Sequence, residues 1–548
     1  MTGFDEAAER AVEAAYDGDA PVGFERLEAE PATVSDGFVR IPGASLAALA
    51  HRAFSDMQFM VRPSYARQLR DAALAAESGS REALVLRALA DNLRVAAEGS
   101  LPLCQDTGTA AVYGWKGERL VVDDDRPDRD LFAAGAEDAW REHRLRDSQV
   151  APLGGRDEAN TGNNLPLAGE LFARKGSSYH LLFVAKGGGS SNKTALFQET
   201  KRLLEPELLA GFLRRTVESL GVSACPPYRV VVVIGGQSPE ECLLAAKLAG
   251  AGALDALPRR ADGTGSPYRD VESEAAVMAA ARNSGWGAQF GGSFMALDAR
   301  VIRLARHAAS LPVALAVSCA AHRQAYGRID AEGVWVERLA GPAELTRILD
   351  GCGPESPRAE PGGTNRPRRV DLAAGVAGLA GLRAGDLVEL WGDAVLARDA
   401  VHARLSAMMD RGEALPAWTA LPAFYASPTK TPPGAVIGSI GPTTSKRMDA
   451  YLERFMERGV FRLTIGKGER GTACAEACLR HDGAYFAAVG GAAALAGSKY
   501  VESCRLVDWE DLGMEAVRVV GLAGLPAMLA TAPDGSDFYD GVRSRQRR

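Results

Sequence analysis

Three cysteines lie far apart in the sequence, and each occurs in an unusual local context. Cys104 is part of the segment LPLCQDTGT, Cys225 of ACPPY and Cys319 of VSCA. If the fold brings them together, the three thiolates can hold three corners of a 4Fe–4S cluster and leave the fourth iron open to a substrate. An open iron acts as a Lewis acid at neutral pH, which suits the removal or addition of a hydroxyl group. These residues therefore predict a hydro-lyase.

The spacing of these cysteines does not by itself define a metal site. Intervals of about 100 residues match no standard cysteine pattern, and an isolated cysteine is commonly a small buried hydrophobic residue. The remaining cysteines are interpreted in that way. They include Cys474 and Cys478, which are spaced as a CxxxC pair but have no third cysteine close by.

Three cations lie beside glycine- and threonine-rich turns. Arg398 lies in ARDAVH, Arg447 closes GPTTSKR, and Lys467 is flanked by two glycines. A single arginine is usually a solvated surface residue, but carboxylates are held best by the planar guanidinium group. Taken together, these cations predict a site for an anionic, dicarboxylate substrate.

The segment KGGGSSNKT at residues 186–194 follows a predicted strand and resembles a phosphate-binding loop. Asn192 stands where such a loop requires glycine, which disfavours a P-loop nucleotide hydrolase. The three glycines are better explained by close approach of the backbone to a cofactor or substrate.

His307 precedes Cys319 by a short interval. On its own it is best interpreted as a core histidine, but its position near the third cysteine makes it a candidate proton carrier or orienting group.

Composition restricts the class of protein. The net charge is −7 and basic clusters are short, so a nucleic acid is not an expected partner. Eight cysteines in 548 residues are too sparse for a disulfide scaffold. The first residues lack the features of a signal peptide, and no apolar run reaches membrane length. We expect a cytoplasmic protein that binds neither nucleic acid nor membrane.

Patterning predicts a mixed α/β (α+β) chain in two domains. Residues 1–100 are mostly helical by periodicity, and apolar runs at 181–185 and 229–234 predict buried strands. Helices are predicted at 199–220 and 275–283. A proline- and glycine-rich linker, placed at 346–369, would separate an N-terminal domain (1–345) from a C-terminal domain (370–548) with strands near 387–390 and 461–465.

Across nearly its whole length the sequence resembles the class I, iron–sulfur-dependent fumarases. The matching segments occur in order: CQDTGTA from Cys104, LRDSQ from Leu145, NTGNNLP from Asn160, AKGGGS from Ala185, ACPPY from Ala224, GAQFGG from Gly287, VSC from Val317, RDAVH from Arg398, GPTT with RMD from Gly441, and GKG from Gly466.

The resemblance implies a two-domain fold with a cluster-bearing N-terminal domain and a smaller C-terminal domain. It implies that a 4Fe–4S cluster is held by Cys104, Cys225 and Cys319. The pocket residues that it implies are Gln105, Asp106, Arg146, Gly189 and His307 from the N-terminal domain, and Arg398, Thr443, Arg447 and Lys467 from the C-terminal domain. Thr443 would be the catalytic base, with Asp106, or His307 paired with it, as an alternative proton shuttle. Proteins of this family are typically homodimers.

The activity implied by the resemblance is reversible hydration of fumarate to (S)-malate. L-tartrate dehydratase and mesaconate hydratase of the same family stay open, because one methyl group is worth only about 1–3 kcal/mol of discrimination. An iron–sulfur sensor or RNA-binding regulator is a remote alternative that the acidic charge disfavours. The chain departs from the familiar fumarases at Ser445–Lys446, at Glu469, at Gly491–Ala492 and at residues 321–323. Lys446 adds a cation and Glu469 an anion beside Arg447 and Lys467, which predicts an altered preference among diacid substrates.

Overall fold

The computed structural model describes residues 3–17, 23–155, 157–353 and 367–546 of the chain. Up to residue 353 the elements in chain order are α1 (Phe4–Asp17), β1 (Phe24–Arg26), β2 (Thr33–Ser35), β3 (Phe38–Pro42), α2 (Gly43–Phe59), α3 (Pro63–Ala75), α4 (Arg81–Ala97), β4 (Thr109–Gly117), β5 (Leu120–Asp123), α5 (Asp128–Glu142), β6 (Val150–Gly154), β7 (Asp157–Asn160), β8 (Ala168–Arg174), β9 (Tyr179–Lys186), α6 (Gly188–Ser191), β10 (Ala195–Glu199), α7 (Pro206–Glu218), β11 (Tyr228–Gly236), α8 (Pro239–Gly250), β12 (Tyr268–Arg269), α9 (Val271–Asn283), β13 (Ala296–Arg306), β14 (Leu311–Ser318), β15 (Gln324–Asp330), β16 (Gly333–Glu337) and α10 (Pro342–Ile348).

Two sheets organise this N-terminal region. One has the strand order β1-β16-β15-β9-β4-β8, and the other has the order β10-β14-β11-β13-β12. Strand β11 is buried on both faces: Val231 and Val233 pack with α8, whereas Val230 and Val232 pack in the core that contains α7 and α9. A strand buried on both faces needs a continuous apolar run rather than an alternating one, which explains its composition.

The C-terminal region forms a third sheet. Its elements are β17 (Arg368–Asp371), β18 (Leu387–Leu396), α11 (Asp399–Asp410), β19 (Ala423–Phe424), α12 (Asp449–Glu457), β20 (Leu463–Gly466), α13 (Thr472–His481), β21 (Ala484–Ala488), α14 (Ala493–Lys499), β22 (Val501–Asp508), β23 (Val517–Thr531) and α15 (Phe538–Gln546). The short 3-10 segments are Lys201–Leu204, Leu372–Leu379, Ala417–Ala420, Ser445–Met448 and Glu510–Glu515.

The strand pairings of the C-terminal region close into a ring. Strands β18, β19, β20 and β21 are parallel neighbours, and β23 pairs with both β21 and β18. Closure leaves no unpaired edge within this ring, and its interior holds apolar side chains such as Leu390, Ile465 and Phe486. The ring supports the loops that follow β18 and β20.

The structure confirms the mixed α/β class and most predicted elements. The strands predicted at 181–185, 229–234 and 387–390 lie within β9, β11 and β18. The helix predicted at 199–220 is shorter, because the chain is extended at Glu199 and α7 starts at Pro206, a residue suited to the first helical turn. The predicted linker at 346–369 begins inside α10, and its residues 354–366 lie outside the described residues. Within the described ranges, no helix combines the length and apolarity needed to cross a membrane.

Candidate active site

Two of the three cysteines meet because of strand register. Cys225 precedes β11 and Cys319 follows β14, and these strands are antiparallel neighbours in which Arg229 pairs with Ser318. The start of β11 and the end of β14 therefore lie at the same edge of the sheet. The Ala320 N–H donates to the Cys225 carbonyl at 3.1 Å, which joins the two segments directly.

Cys104 lies in a loop that is held by residues of α2 and α4. The Leu103 N–H donates to the Gln58 carbonyl at 2.8 Å, and the Gln58 Nε2 donates to the Thr107 carbonyl at 3.0 Å. Asn92 of α4 donates to the Leu103 carbonyl at 2.9 Å. The backbone on both sides of this cysteine is thus tied to buried amide side chains.

The three cysteines share one buried space. Cys104 and Cys225 are buried and Cys319 is half-buried. Burial raises the pKa of the Cys104 thiol to about 12; the charge of Arg323 opposes this shift, while Asp106 and the other two cysteines add to it. Cys104 therefore lies within electrostatic range of both of the other cysteines.

The C-terminal region reaches Cys225 with a lysine and a glycine. Lys467 follows β20, is buried, and donates from Nζ to the Cys225 Sγ at 2.7 Å. Burial lowers the pKa of Lys467, but the adjacent Cys225 and the more distant cysteines raise it on balance. A Cβ at Gly490 would lie 2.6 Å from the Cys225 Sγ, so a side chain does not fit there without displacing the cysteine. A Cβ at Gly189, which belongs to the N-terminal region, would lie 3.8 Å from the Lys467 Nζ.

Arg398 is a buried arginine with free hydrogen-bond donors. It lies between β18 and α11, and its side chain is 8% exposed. Its Nη2 is 3.4 Å from Glu515 Oε1 and 3.5 Å from Asp399 Oδ2. Its Nε and Nη1 have no hydrogen-bond partner among the described residues. Leaving buried charged donors unpaired is costly, and a substrate carboxylate would satisfy both of them.

Two further arginines flank Arg398. Burial, followed by the charge of Arg398, lowers the pKa of Arg146 to about 10. Arg447 is half-exposed and its Nη2 lies 3.2 Å from Asp399 Oδ2. Arg146 belongs to the N-terminal region and the other two to the C-terminal region, so arginines from both regions meet in a cleft near the carboxylates of Asp399 and Glu515.

Asp106 is a further carboxylate of this cleft. Burial alone would raise its pKa, but the charges of Arg323 and Arg146 and a hydrogen bond from the Gly188 N–H at 2.8 Å lower it on balance. A Cβ at Gly187 would lie 2.9 Å from the Asp106 Oδ2. Two glycines of the glycine-rich segment therefore make room for this carboxylate.

Gln105 and Thr443 complete the part of the predicted site that converges. The Gln105 side chain is buried, 3.5 Å from the Cys104 Sγ, and its Nε2 is 3.5 Å from the Pro442 carbonyl. Thr443 is buried and its hydroxyl donates to the Tyr425 carbonyl at 2.9 Å. That bond orients the hydroxyl hydrogen away from any other acceptor.

His307 does not reach this site within the chain. It is exposed in the turn between β13 and β14, where its Nδ1 accepts from the Ala309 N–H at 3.2 Å. The eight residues of β14 separate this turn from Cys319, a distance of about 26 Å at the usual rise along a strand. Within one chain the intervening strand therefore keeps His307 away from the cysteines, and its role in the site stays a prediction.

Gln289 is a site residue that we did not single out from the sequence, although its segment was part of the resemblance. It is buried, has φ +79°, and donates from Nε2 to the Pro226 and Gly490 carbonyls at 2.9 Å each. Its Oε1 accepts from the Gly490 N–H at 2.7 Å. One amide thus joins the residue after Cys225 to the glycine that packs against the Cys225 sulfur. Its place in a glycine-rich turn was the available signal.

Glu469 and Lys446, two residues at which the chain departs from the familiar fumarases, have different surroundings. Glu469 accepts from the Val222 N–H at 3.0 Å, so it binds the segment that carries Cys225. The Thr444 hydroxyl, nearby, donates to the Ser223 carbonyl at 3.3 Å. Lys446 is exposed. The added anion therefore holds the backbone of the cysteine segment rather than standing free to meet a substrate.

Comparison with known proteins agrees with this geometry. The family model described as "Fumarate hydratase (Fumerase)" matches residues 47–328, and "Fumarase C-terminus" matches residues 344–542. "Fumarate hydratase class I, aerobic" of Escherichia coli strain K12 is 39% identical over 515 residues, covering 93% of this chain and 92% of that protein. "Fumarate hydratase 2" of Leishmania major is 40% identical over 507 residues, covering 91% and 87%. A "Putative L(+)-tartrate dehydratase subunit alpha" of Methanocaldococcus jannaschii is 30% identical over 263 residues, 46% of this chain and 87% of that protein.

The matches span both regions, and they include the three cysteine segments and the cationic loops. They confirm the resemblance found in the sequence. The chain belongs to the class I fumarate hydratase family.

Proposed function

We propose that this protein is a hydro-lyase that catalyses the reversible hydration of fumarate to (S)-malate. The observation that carries the proposal is the buried Arg398, whose Nε and Nη1 have no hydrogen-bond partner among the described residues. Arg398 lies within electrostatic range of Arg146, and Arg146 within range of Asp106, the residue that also acts on Cys104. The family membership supports the same activity. A carboxylate of a small dicarboxylate would accept hydrogen bonds from these two donors of Arg398.

The three cysteines fit the 4Fe–4S cluster that the family implies. Cys104, Cys225 and Cys319 would hold it. Within the described residues, their sulfurs do not belong to a set whose ligand atoms all lie within 4.8 Å of one another, as the ligands of a single ion would. A cluster binds each thiolate to a different iron, which suits a wider separation. When bound, the cluster would supply a Lewis acid for the substrate hydroxyl group.

The arginines would bind the substrate carboxylates. Arg398 offers two donors in the fork geometry that pairs with a carboxylate. Arg146 and Arg447 lie near it; burial and then the charge of Arg398 lower the pKa of Arg146, and the repulsive part of that shift would be relieved when a dianion enters. Removal of the C3 proton shifts charge onto the neighbouring carboxylate, so fixed guanidinium groups stabilise the transition state more than the ground state.

Proton transfer at C3 has two candidate groups. Thr443 is the base that we propose; its hydroxyl, which donates to the Tyr425 carbonyl at 2.9 Å, would have to lose its proton to solvent and act as the alkoxide, a form that nearby cations would stabilise. Lys467, whose N–H donates to the Thr443 carbonyl at 3.1 Å, adds positive charge close by. Asp106 is the alternative, because its lowered pKa keeps it ionised at neutral pH. A Thr443→Val variant that keeps full activity while Asp106→Asn loses it would assign the base to Asp106.

A role for His307 in the active site requires that the protein be a homodimer. His307 is remote from the cysteines of its own chain but lies on an exposed turn. If the protein is a homodimer, as we propose, a second copy can bring His307 to the cleft. Sedimentation analysis tests the dimer, and cell fractionation tests the proposed cytoplasmic location.

The first experiment pairs two measurements on one anaerobically purified sample: iron and sulfide content with visible absorbance, and conversion of fumarate to malate. A brown protein that hydrates fumarate supports both parts of the proposal. A brown protein that acts on L-tartrate or mesaconate but not on fumarate would reassign the substrate. A colourless protein with full activity would refute the role of the cysteines.

A further inference from the structure

Two histidines and a glutamate meet outside the cleft, at the contact between α2 and α5. His51 lies on α2, Glu142 is the last residue of α5, and His143 is the residue that caps it. One ligand atom from each of the three lies within 4.8 Å of the other two. Among the described residues, this is the one such set of histidine, cysteine and acidic ligands.

The carboxylate lies between the two imidazoles. The His51 Nε2 is 2.8 Å from Glu142 Oε2, and the His143 Nε2 is 4.0 Å from Glu142 Oε1. The two imidazole rings are nearly parallel, with their centroids 6.3 Å apart. The edge-to-face contact of the His143 ring with Phe59, at 5.1 Å, limits the movement of that ring.

The backbones that carry these groups are held firmly together. Gly135 of α5 packs so closely on α2 that a Cβ there would collide with the Ala47 carbonyl. Each ligand to a tetrahedral ion lies about 2.0–2.2 Å from it, so neighbouring ligand atoms lie about 3.4 Å apart. The separations of 2.8 Å and 4.0 Å lie on either side of this value, so a bound ion would require only small adjustments of these partly exposed side chains.

We propose that His51, Glu142 and His143 form a binding site for a divalent transition-metal ion such as Zn²⁺ or Ni²⁺. Imidazole nitrogen suits these ions, whereas Mg²⁺ and Ca²⁺ require oxygen ligands. The three protein ligands leave a coordination position for water, and the side chains are 31%, 61% and 23% exposed, so an ion can enter from solvent.

A metal here would tie together two segments that lead to the cleft. Seven residues beyond His51, about 10 Å along the helix, Gln58 holds the loop of Cys104. Three residues beyond His143 lies Arg146, whose carbonyl accepts from the Trp140 Nε1 at 3.2 Å. The site would therefore act as a structural clamp between α2 and α5, and it does not depend on the proposed reaction.

Nickel binding tests the proposal. The full-length protein, purified anaerobically, is dialysed against Ni²⁺, and bound nickel and the thermal midpoint are measured for the wild type and for His51→Ala, His143→Ala and Glu142→Gln. His481→Ala is the matched control, because His481 also pairs with a glutamate, Glu453, at 2.7 Å but belongs to no three-ligand set within the described residues.

We expect the wild type and the control to bind one Ni²⁺ that raises the thermal midpoint. In each of the other three variants the affinity should fall more than about 10-fold, since even outer-sphere partners of a metal ligand are worth about that much. Glu142→Gln keeps the shape of the side chain, so it reports on ligation even if an alanine variant is unstable. Nickel binding that is equal in all variants, absent from the wild type, or lost equally in His481→Ala would overturn the site.

Discussion

The Gln289 amide offers the sharpest test of how the two regions hold Cys225. Gln289→Leu replaces the amide by an apolar group of similar size, so the change removes hydrogen bonds without opening a large cavity. Three backbone groups lose their partner: the Pro226 carbonyl, the Gly490 carbonyl and the Gly490 N–H. Each buried polar group left unpaired costs about 1–3 kcal/mol. The free energy of unfolding should therefore fall by at least about 3 kcal/mol.

A functional loss should accompany the loss of stability, because Gly490 packs directly against the Cys225 sulfur. We expect less iron and sulfide per chain, weaker visible absorbance, and a kcat that falls in proportion to the retained cluster. Gln289→Glu should lose cluster as well: it keeps an acceptor for the Gly490 N–H but faces two carbonyls without a donor.

The assay is anaerobic urea unfolding combined with iron and sulfide analysis. Gln198→Leu, at an exposed position, is the matched control and should change neither quantity. If Gln289→Leu unfolds at the wild-type urea concentration and carries a full complement of iron, the amide does not hold the cysteine, and our account of the contact between the regions is wrong.

Four further predictions address the ligands, the substrate clamp and the subunit. Cys225→Ser should abolish both brown colour and activity, whereas a fully active, brown variant would refute its role as ligand. Arg398→Lys should lower kcat/KM about 10- to 150-fold with unchanged absorbance, because charged hydrogen bonds worth about 1.5–3 kcal/mol are lost; unchanged kcat/KM would remove Arg398 from the clamp. Burial lowers the pKa of His402 to about 4 in the folded protein, whereas the pKa of an unfolded histidine is about 6.5. As the pH falls below about 6.5, the unfolded state therefore binds a proton before the folded state does. The free energy of unfolding should fall by about 2 kcal/mol from pH 7 to pH 5. His402→Phe, which keeps the aromatic packing, should remove that part of the pH dependence, and an identical slope in urea unfolding would contradict it. His307→Ala co-expressed with Cys225→Ser should recover activity that neither variant has alone; no recovery in the mixed dimers would exclude a contribution from the second copy.

The strand that follows Cys225 was easier to predict from the sequence than the contacts around the cysteines. The apolar run at 229–234 correctly indicated a buried strand, and this strand sets the register that brings Cys225 and Cys319 to one sheet edge. The cysteine contexts and the cations beside glycines were local signals, so they could be recognised without the fold. Their convergence at one cleft is a property of the fold.

The sequence is a poor guide where the distance between two residues depends on strands or turns that it does not predict. His307 is close to Cys319 along the chain, but no strand had been predicted at 311–318, and that strand carries the histidine to the opposite end. Gln289 was missed for the reverse reason. Its contacts with Pro226 and Gly490 join residues far apart in sequence, and its positive φ is a local backbone state that periodicity does not reveal.

The division of the site between the two regions has a consequence for biosynthesis. All three cysteines have left the ribosome before Lys467 and Gly490 are translated, and domains generally fold in the order of their synthesis. The strands that position Cys225 and Cys319 can therefore assemble while these thiols still face solvent. Docking of the C-terminal ring then encloses Cys225 under a lysine and a glycine. Before that docking Cys225 lacks the cover of Lys467 and Gly490, so it would be more open both to delivery of iron and sulfide and to damage by oxidants.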